Sequence, residues 1–210
     1  MNMVTKANII GMLQAAAAVM EQNRDYLCEL DAKMGDGDLG LTMTKAFAAA
    51  AQEAAESDLD DLGKLLMRCG MKMSSAAPST MGTLMASGMM GAGKVLGGKT
   101  ELTAADMAVL LTNFADGVAK RGKCQVGERT VLDALAPAGT AATAAADAGA
   151  DIDAVLQAAA AGAQEGLEAT KAMKPTYGKA AVFADRAVGN IDQGALAGQL
   201  FVQALADYAG

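Results

Sequence analysis

Histidine is absent from all 210 residues of this chain. That excludes histidine-ligated zinc, a Ser-His-Asp triad, a histidine general base and a phosphohistidine relay carried on this chain. Cysteine is sparse: Cys28, Cys69 and Cys124 are scattered, odd in number and without CxxC spacing. They form no metal site and fit a reducing, cytoplasmic setting. Positive charge is also short, with 17 Lys and Arg against 24 Asp and Glu, a net charge of −7. Such a balance argues against nucleic acid or an anionic membrane as the main partner. No apolar run is long enough to cross a bilayer. The first twenty residues lack a basic region, and the short apolar stretch near Ala15 to Met20 is followed by Glu21 and Arg24. It reads as an amphipathic helix, not a signal peptide. Aromatic residues make up only 3 % of the chain, and Val and Ile are few, which argues against sheet.

What is present points to helix. Half the chain is apolar, much of it Ala, with 15 Met. Length predicts one domain over residues 1–210. Thr5 is placed to cap a first helix carrying Ile9, Ile10, Leu13, Ala16, Ala17 and Met20, and helical pattern resumes through Tyr26, Leu27 and Leu30 up to a loop at Gly35 to Gly40. Further helices are expected over about Leu41–Ala55, from Ser57 or Asp58 through Met73, and over about Thr80–Leu96. Thr103-x-x-Asp106 resembles a capping box that opens a helix to about Lys120. Another runs from about Thr130 to Ala148, with Pro137 as a kink, and Asp151 caps one to about Met173. Lys174 to Gln193 is the longest irregular segment, and a last helix closes the chain. The expected fold is all-α: eight helices in an antiparallel up-and-down bundle or closed barrel. Glycines crowding the helix near Gly88, Gly91 and Gly93 predict close helix packing.

The densest chemistry lies in Asp31-Ala-Lys-Met-Gly35-Asp36-Gly-Asp38-Leu-Gly40. Carboxylates so close repel one another unless a cation lies between them, and the glycines let backbone bend towards a ligand. Oxygen donors without soft ligands favour Mg²⁺ before Ca²⁺, and Mg²⁺ is usually shared with substrate phosphates. An acidic, Gly-rich surface turn fits the same spacing equally well. Three neighbouring motifs fail. Gly88-Met-Met-Gly-Ala-Gly93-Lys94-Val95 lacks the closing Ser or Thr of a P-loop and the preceding strand. Asp36-x-Asp38 as a calcium loop would place Gly40 and Phe47 where ligands belong. As a haloacid-dehalogenase-type nucleophile motif it lacks the hydrophobic strand before it.

Basic residues gather in two segments, Lys120, Arg121, Lys123 and Arg129, and Lys171, Lys174, Lys179 and Arg186. In an up-and-down array, loops after helices of equal direction share one end. The carboxylate loop, the Ser74–Ser79 loop and both basic loops are thus expected to converge on a polyanion. For any single basic residue, an ordinary solvated side chain fits better.

Four ordered motifs carry a resemblance over essentially the full length. They are Leu30-Asp31-x-x-x-Gly35-Asp36-x-Asp38-x-Gly40; Gly82-Thr83; Asp116-Gly117-Val118-x-x-Arg121-Gly122-Lys123 with Gly127-x-x-Thr130-x-x-Asp133; and Gly178-Lys179-Ala180 through Asp185-Arg186, Gly189, Asp192 and Gly194-Ala195. In these the chain resembles the nucleotide-binding L subunit of bacterial dihydroxyacetone kinase. The resemblance implies an eight-helix antiparallel barrel with ATP or ADP at one end and two Mg²⁺ held by Asp31, Asp36 and Asp38. It implies nucleotide contacts at Leu39, Thr42, Pro78, Ser79, Thr80, Gly122, Val131, Lys179 and Asp192, and no catalytic residue of the chain's own. The implied partner is a ketone-binding K subunit that carries the histidine, joined in some members by a phosphotransferase-system phosphocarrier; a homodimer stays open. There are departures: Leu39 stands where many relatives carry histidine, Thr42 stands for an asparagine, and the phosphate loop Ala76 to Gly82 is short. The ketose is left open between dihydroxyacetone and another short sugar such as a tetrulose. The phosphoryl source is open between ATP and phosphoenolpyruvate. A non-catalytic nucleotide-binding regulatory module and a purely structural bundle are the rival readings.

Overall fold

The structure is a computed structural model that describes residues 2–177, 181 and 187–209. Its helices are α1 (Lys6–Gln22), α2 (Arg24–Ala32), α3 (Leu39–Glu56), α4 (Leu62–Ala76), α5 (Thr80–Val95), α6 (Ala104–Gly122), α7 (Leu132–Asp147), α8 (Ile152–Ala169) and α9 (Gln193–Ala209), with a 3₁₀ turn at Thr170–Ala172. Among the described residues there is no strand, only an isolated bridge between Val4 and Leu102. No described helix is long and apolar enough to cross a membrane.

Among the described residues the expected eight helices are nine because the first is broken at Asn23. Its side-chain amide donates to the Val19 carbonyl at 2.8 Å, competing with the helical ladder. Taken as one interrupted leg, α1 and α2 restore the eight-legged pattern. Each leg packs on the next, α9 packs on α8 and on α1, and the ring closes. Short connections between neighbouring legs make them antiparallel.

Several boundaries moved for identifiable reasons. α4 begins at Leu62 because Asp61, not Ser57 or Asp58, is its N-cap, accepting from Lys64 N and from Gly98 N at 3.0 Å each. Ser57 instead closes α3. The expected capping box forms, with Thr103 and Asp106 bonding reciprocally. α8 tightens into the 3₁₀ turn rather than running to Met173.

The barrel is filled, not hollow. Phe201 of α9 meets Phe47 of α3 and Phe114 of α6 at centroid distances of 5.2 and 4.9 Å. All three rings are fully buried, so residues from widely separated legs share one core. Few aromatics suffice because Ala, Gly and Met let helix axes approach. A Cβ on Gly93 of α5 would lie 2.6 Å from the Gly63 carbonyl of α4, which bears out close packing as the reason for that glycine.

Candidate functional site

In an up-and-down ring, alternate helices start at the same end. Here α3, α5, α7 and α9 all begin around one open cavity of about 360 Å³. Its lining includes Leu39 and Thr42 from the first turn of α3, and Ser79, Thr80 and Met81 from the start of α5. Thr130 and Val131 precede α7, and Asp192, Gln193 and Gly194 open α9. Helix starts carry unsatisfied N–H groups and the positive end of the helix dipole, so their convergence favours an anion.

The acidic wall comes from the end of α2. Asp31 is buried in its last turn, while Asp36 and Asp38 are exposed on the following loop. The loop folds back around Asp31. Oδ2 of Asp31 accepts from the Gly37 and Asp38 N–H groups at 2.9 and 3.2 Å. Gly37 has φ +75°, in the left-handed region. A Cβ on Gly35 would overlap the Asp31 carboxylate. Both glycines are therefore needed to wrap the chain this tightly. Asp31, Asp36 and Asp38 all line the cavity. Among the described residues, however, no three His, Cys, Asp or Glu side chains are gathered closely enough to hold a metal as they stand. The polar side chains of the wall offer oxygen donors, three carboxylates beside the Thr42, Ser79 and Thr80 hydroxyls, which fits a hard cation and not a soft one.

The opposite wall is built on Arg129, whose side chain is fully buried. Its Nε donates to the Thr170 carbonyl, and Nη2 reaches the carbonyls of Ala187, Asn190 and Ile191 at 3.2, 3.0 and 3.2 Å. One guanidinium thus ties the α6–α7 loop to the end of α8 and to the segment entering α9. The loop bends to permit this: Arg129 has φ +58°, which favours glycine, and Asp133 clamps it by accepting from Gly127 N and Thr130 N at 2.6 and 2.7 Å. Asp192, itself buried, caps α9 by accepting from Ala195 N at 2.8 Å. Its carboxylate lies 3.9 Å from Arg129 Nη1, which has no hydrogen-bond partner. Burial pushes the Asp192 carboxyl up to about 6, outweighing the lowering effect of the α9 backbone and of Arg129. A strap at 174–177 covers the same loop: Thr176 bonds the Glu128 carbonyl, and the Tyr177 hydroxyl donates to the Lys123 carbonyl at 2.8 Å.

Of the residues singled out in the sequence, the cavity gathers Asp31, Asp36, Asp38, Leu39, Thr42, Ser79, Thr80, Val131 and Asp192. Pro78 and Gly122 are not in its lining. Pro78 is exposed, and Gly122 sits at the end of α6 behind Leu84, which does line it. Lys179 and Arg186 lie outside the described residues. Arg129, expected as a loop cation for a polyanion, is buried structure instead. Sequence reasoning missed Met34, Met81, Leu84, Tyr177 and Gln193, which also line the cavity. A lone Met, Leu, Tyr or Gln carries no motif that would have marked it.

The chain is similar to known proteins over most of its length. The DAK2 domain family matches residues 33–207. The ADP-binding subunit DhaL of the PEP-dependent dihydroxyacetone kinase of Escherichia coli (strain K12) is 25% identical over 203 residues, 97% of each chain. An L-erythrulose kinase of Pectobacterium atrosepticum is 28% identical over 199 residues, covering 94% of this chain and 34% of the kinase. Among solved structures, the dihydroxyacetone kinase of C. freundii in complex with AMP-PNP and Mg2+ superposes with a TM-score of 0.72 at 28% identity, over 96% of this chain. This chain spans 34% of that kinase's length. The chain thus belongs to the DAK2 domain family, as a member of the DhaL type.

Proposed function

We propose that this chain is the nucleotide-holding part of a short-chain ketose kinase, with residues 1–210 acting as one unit. The observation that carries the reading is the meeting, in one cavity, of four helix starts with the three-aspartate loop. The helix starts favour a polyphosphate; the aspartates repel it unless divalent cations lie between. Asp31, Asp36 and Asp38 would hold the Mg²⁺, two ions by family resemblance. When bound, the metal neutralises the phosphates and polarises the phosphoryl group to be transferred.

The chain's own residues do the rest. N–H groups at the starts of α5 and α3 would donate to phosphate oxygens, with Ser79 and Thr80 beside one and Leu39 and Thr42 beside the other. Ser79 also holds the start of α5 in shape by accepting from Gly82 N at 3.1 Å. Leu84, Met81 and Val131 offer an apolar wall for the base, with Gly122 behind it. Pro78 shapes the turn into α5, Asp192 fixes the start of α9, and Lys179 would add a cation to the phosphates. None of these is a general base in this reading, and positioning with electrostatics supplies the rate.

The names of the relatives favour a bound ADP with phosphoenolpyruvate as the phosphoryl source, and an acceptor of the dihydroxyacetone or erythrulose class. The acceptor would be held by a ketone-binding K subunit, because this chain has no histidine to form a hemiaminal. That partner would dock at the end carrying Asp36 and Ser79. The test is reconstitution. The purified chain with ATP or charged phosphocarrier, Mg²⁺ and dihydroxyacetone is expected to give no product until a K subunit is added. Substrate-dependent turnover by the chain alone would refute the assignment.

A further inference from the structure

Gln193 is the first residue of α9 and lines the cavity, yet no motif called attention to it. Its Nε2 donates to Oδ1 of Asp31 at 3.4 Å. Asp31 already uses Oδ2 for two backbone N–H groups, so Gln193 is what engages the other oxygen. An ionised carboxylate only accepts, which fixes the amide: nitrogen towards Asp31, oxygen away from it. That oxygen, Oε1, is buried and has no hydrogen-bond partner. Leaving a buried acceptor unsatisfied is unfavourable.

The position is firmly held. Asp192 N donates to the Thr170 hydroxyl at 2.9 Å, and the Ile191 carbonyl is taken by Arg129. Gln193 therefore enters the cavity from a rigid base, with one amide atom on a candidate metal ligand and the other unsatisfied.

We propose that Gln193 is a positioning residue of the metal site: Nε2 orients Asp31, and Oε1 accepts a hydrogen bond from a water on the divalent cation. This rests on the metal-binding reading above. Mg²⁺ keeps several waters when protein-bound, and every such water is a strong donor. The chemistry matches what Oε1 lacks. A nucleotide hydroxyl is another donor that enters such a cavity, so the test uses the cation alone.

Mn²⁺ is titrated into the nucleotide-free chain by electron paramagnetic resonance, and melting is followed in chelator and in Mg²⁺. Wild type, Gln193→Met, Gln193→Glu and Asp36→Asn are compared. Gln193→Met keeps the length and loses both amide contacts. It is expected to bind Mn²⁺ about tenfold or more weakly, while melting in chelator at or above the wild-type temperature. Gln193→Glu places a carboxylate against Asp31. It is expected to melt below wild type in chelator and to gain more than wild type from Mg²⁺. Unchanged Mn²⁺ affinity in Gln193→Met, with binding lost in Asp36→Asn, would overturn the role of Gln193 and leave the metal site standing. An equal loss of melting temperature in chelator and in Mg²⁺ would make Gln193 merely structural and overturn it too. Mn²⁺ binding untouched by Asp36→Asn would overturn the metal reading and this inference with it.

Discussion

The two walls of the cavity handle charge in opposite ways. On the acidic wall, Asp36 and Asp38 stand in solvent on a glycine-wrapped loop, and only Asp31 is drawn inside. On the far wall, Arg129 and Asp192 are both buried, and they serve backbone as much as each other. The first wall is an exposed set of like charges that a cation would satisfy. The second is a buried pair of opposite charges that holds three chain segments in register. In the proposed function the acidic wall binds the ligand, while the far wall holds the architecture. Each wall should respond differently when a charge is removed.

The largest effect is expected on the acidic wall. Asp36→Asn should abolish phosphoryl transfer in the reconstituted kinase and leave the helical circular dichroism unchanged. Retained turnover with the partner subunit present would remove Asp36 from the metal site.

The far wall should break the other way. Arg129→Met leaves Asp192 buried without its counter-charge and four carbonyls without their donor. A loss of about 3–5 kcal/mol in denaturant unfolding is expected, with any loss of nucleotide binding following from the disordered start of α9. A change of a few tenths of a kcal/mol would show that the pair is ornamental.

A smaller effect sharpens the contrast through pH. Asp192 is raised to about 6 in the folded chain, above the ordinary carboxyl value of 3.8. The folded state therefore holds this proton more tightly than the unfolded state. Its contribution to stability is complete below about pH 4 and is lost as pH rises through 6. Asp192→Asn keeps a capping oxygen and does not titrate. From pH 4.5 to 8, wild type should lose stability relative to that variant, and a flat difference would mean that Asp192 is not raised.

The difference between the walls also explains what could be read from the sequence. The all-α ring was legible because each leg carries its own apolar stripe and its own stop, such as the Thr103–Asp106 box. The acidic wall was legible because Asp31, Asp36 and Asp38 lie within eight positions, and local spacing carries the chemistry. Arg129 was misplaced because its burial depends on carbonyls 41 to 62 residues away, which no local pattern records. It looked like one more loop cation. Gln193 was missed for the same reason: its partner Asp31 is 162 residues distant. The break at Asn23 was counted within one leg, because the helical pattern resumes at once through Tyr26 and only the side-chain bond to Val19 fixes where the helix is interrupted.

The central claim is that the acidic wall needs a cation before the helix starts can hold a polyphosphate. Titrating ADP into the chain by calorimetry, once in Mg²⁺ and once in chelator, tests it most directly. Binding in Mg²⁺ that disappears in chelator, with Asp36→Asn weak under both conditions, is the expected result. Equal affinity with and without the metal would contradict it.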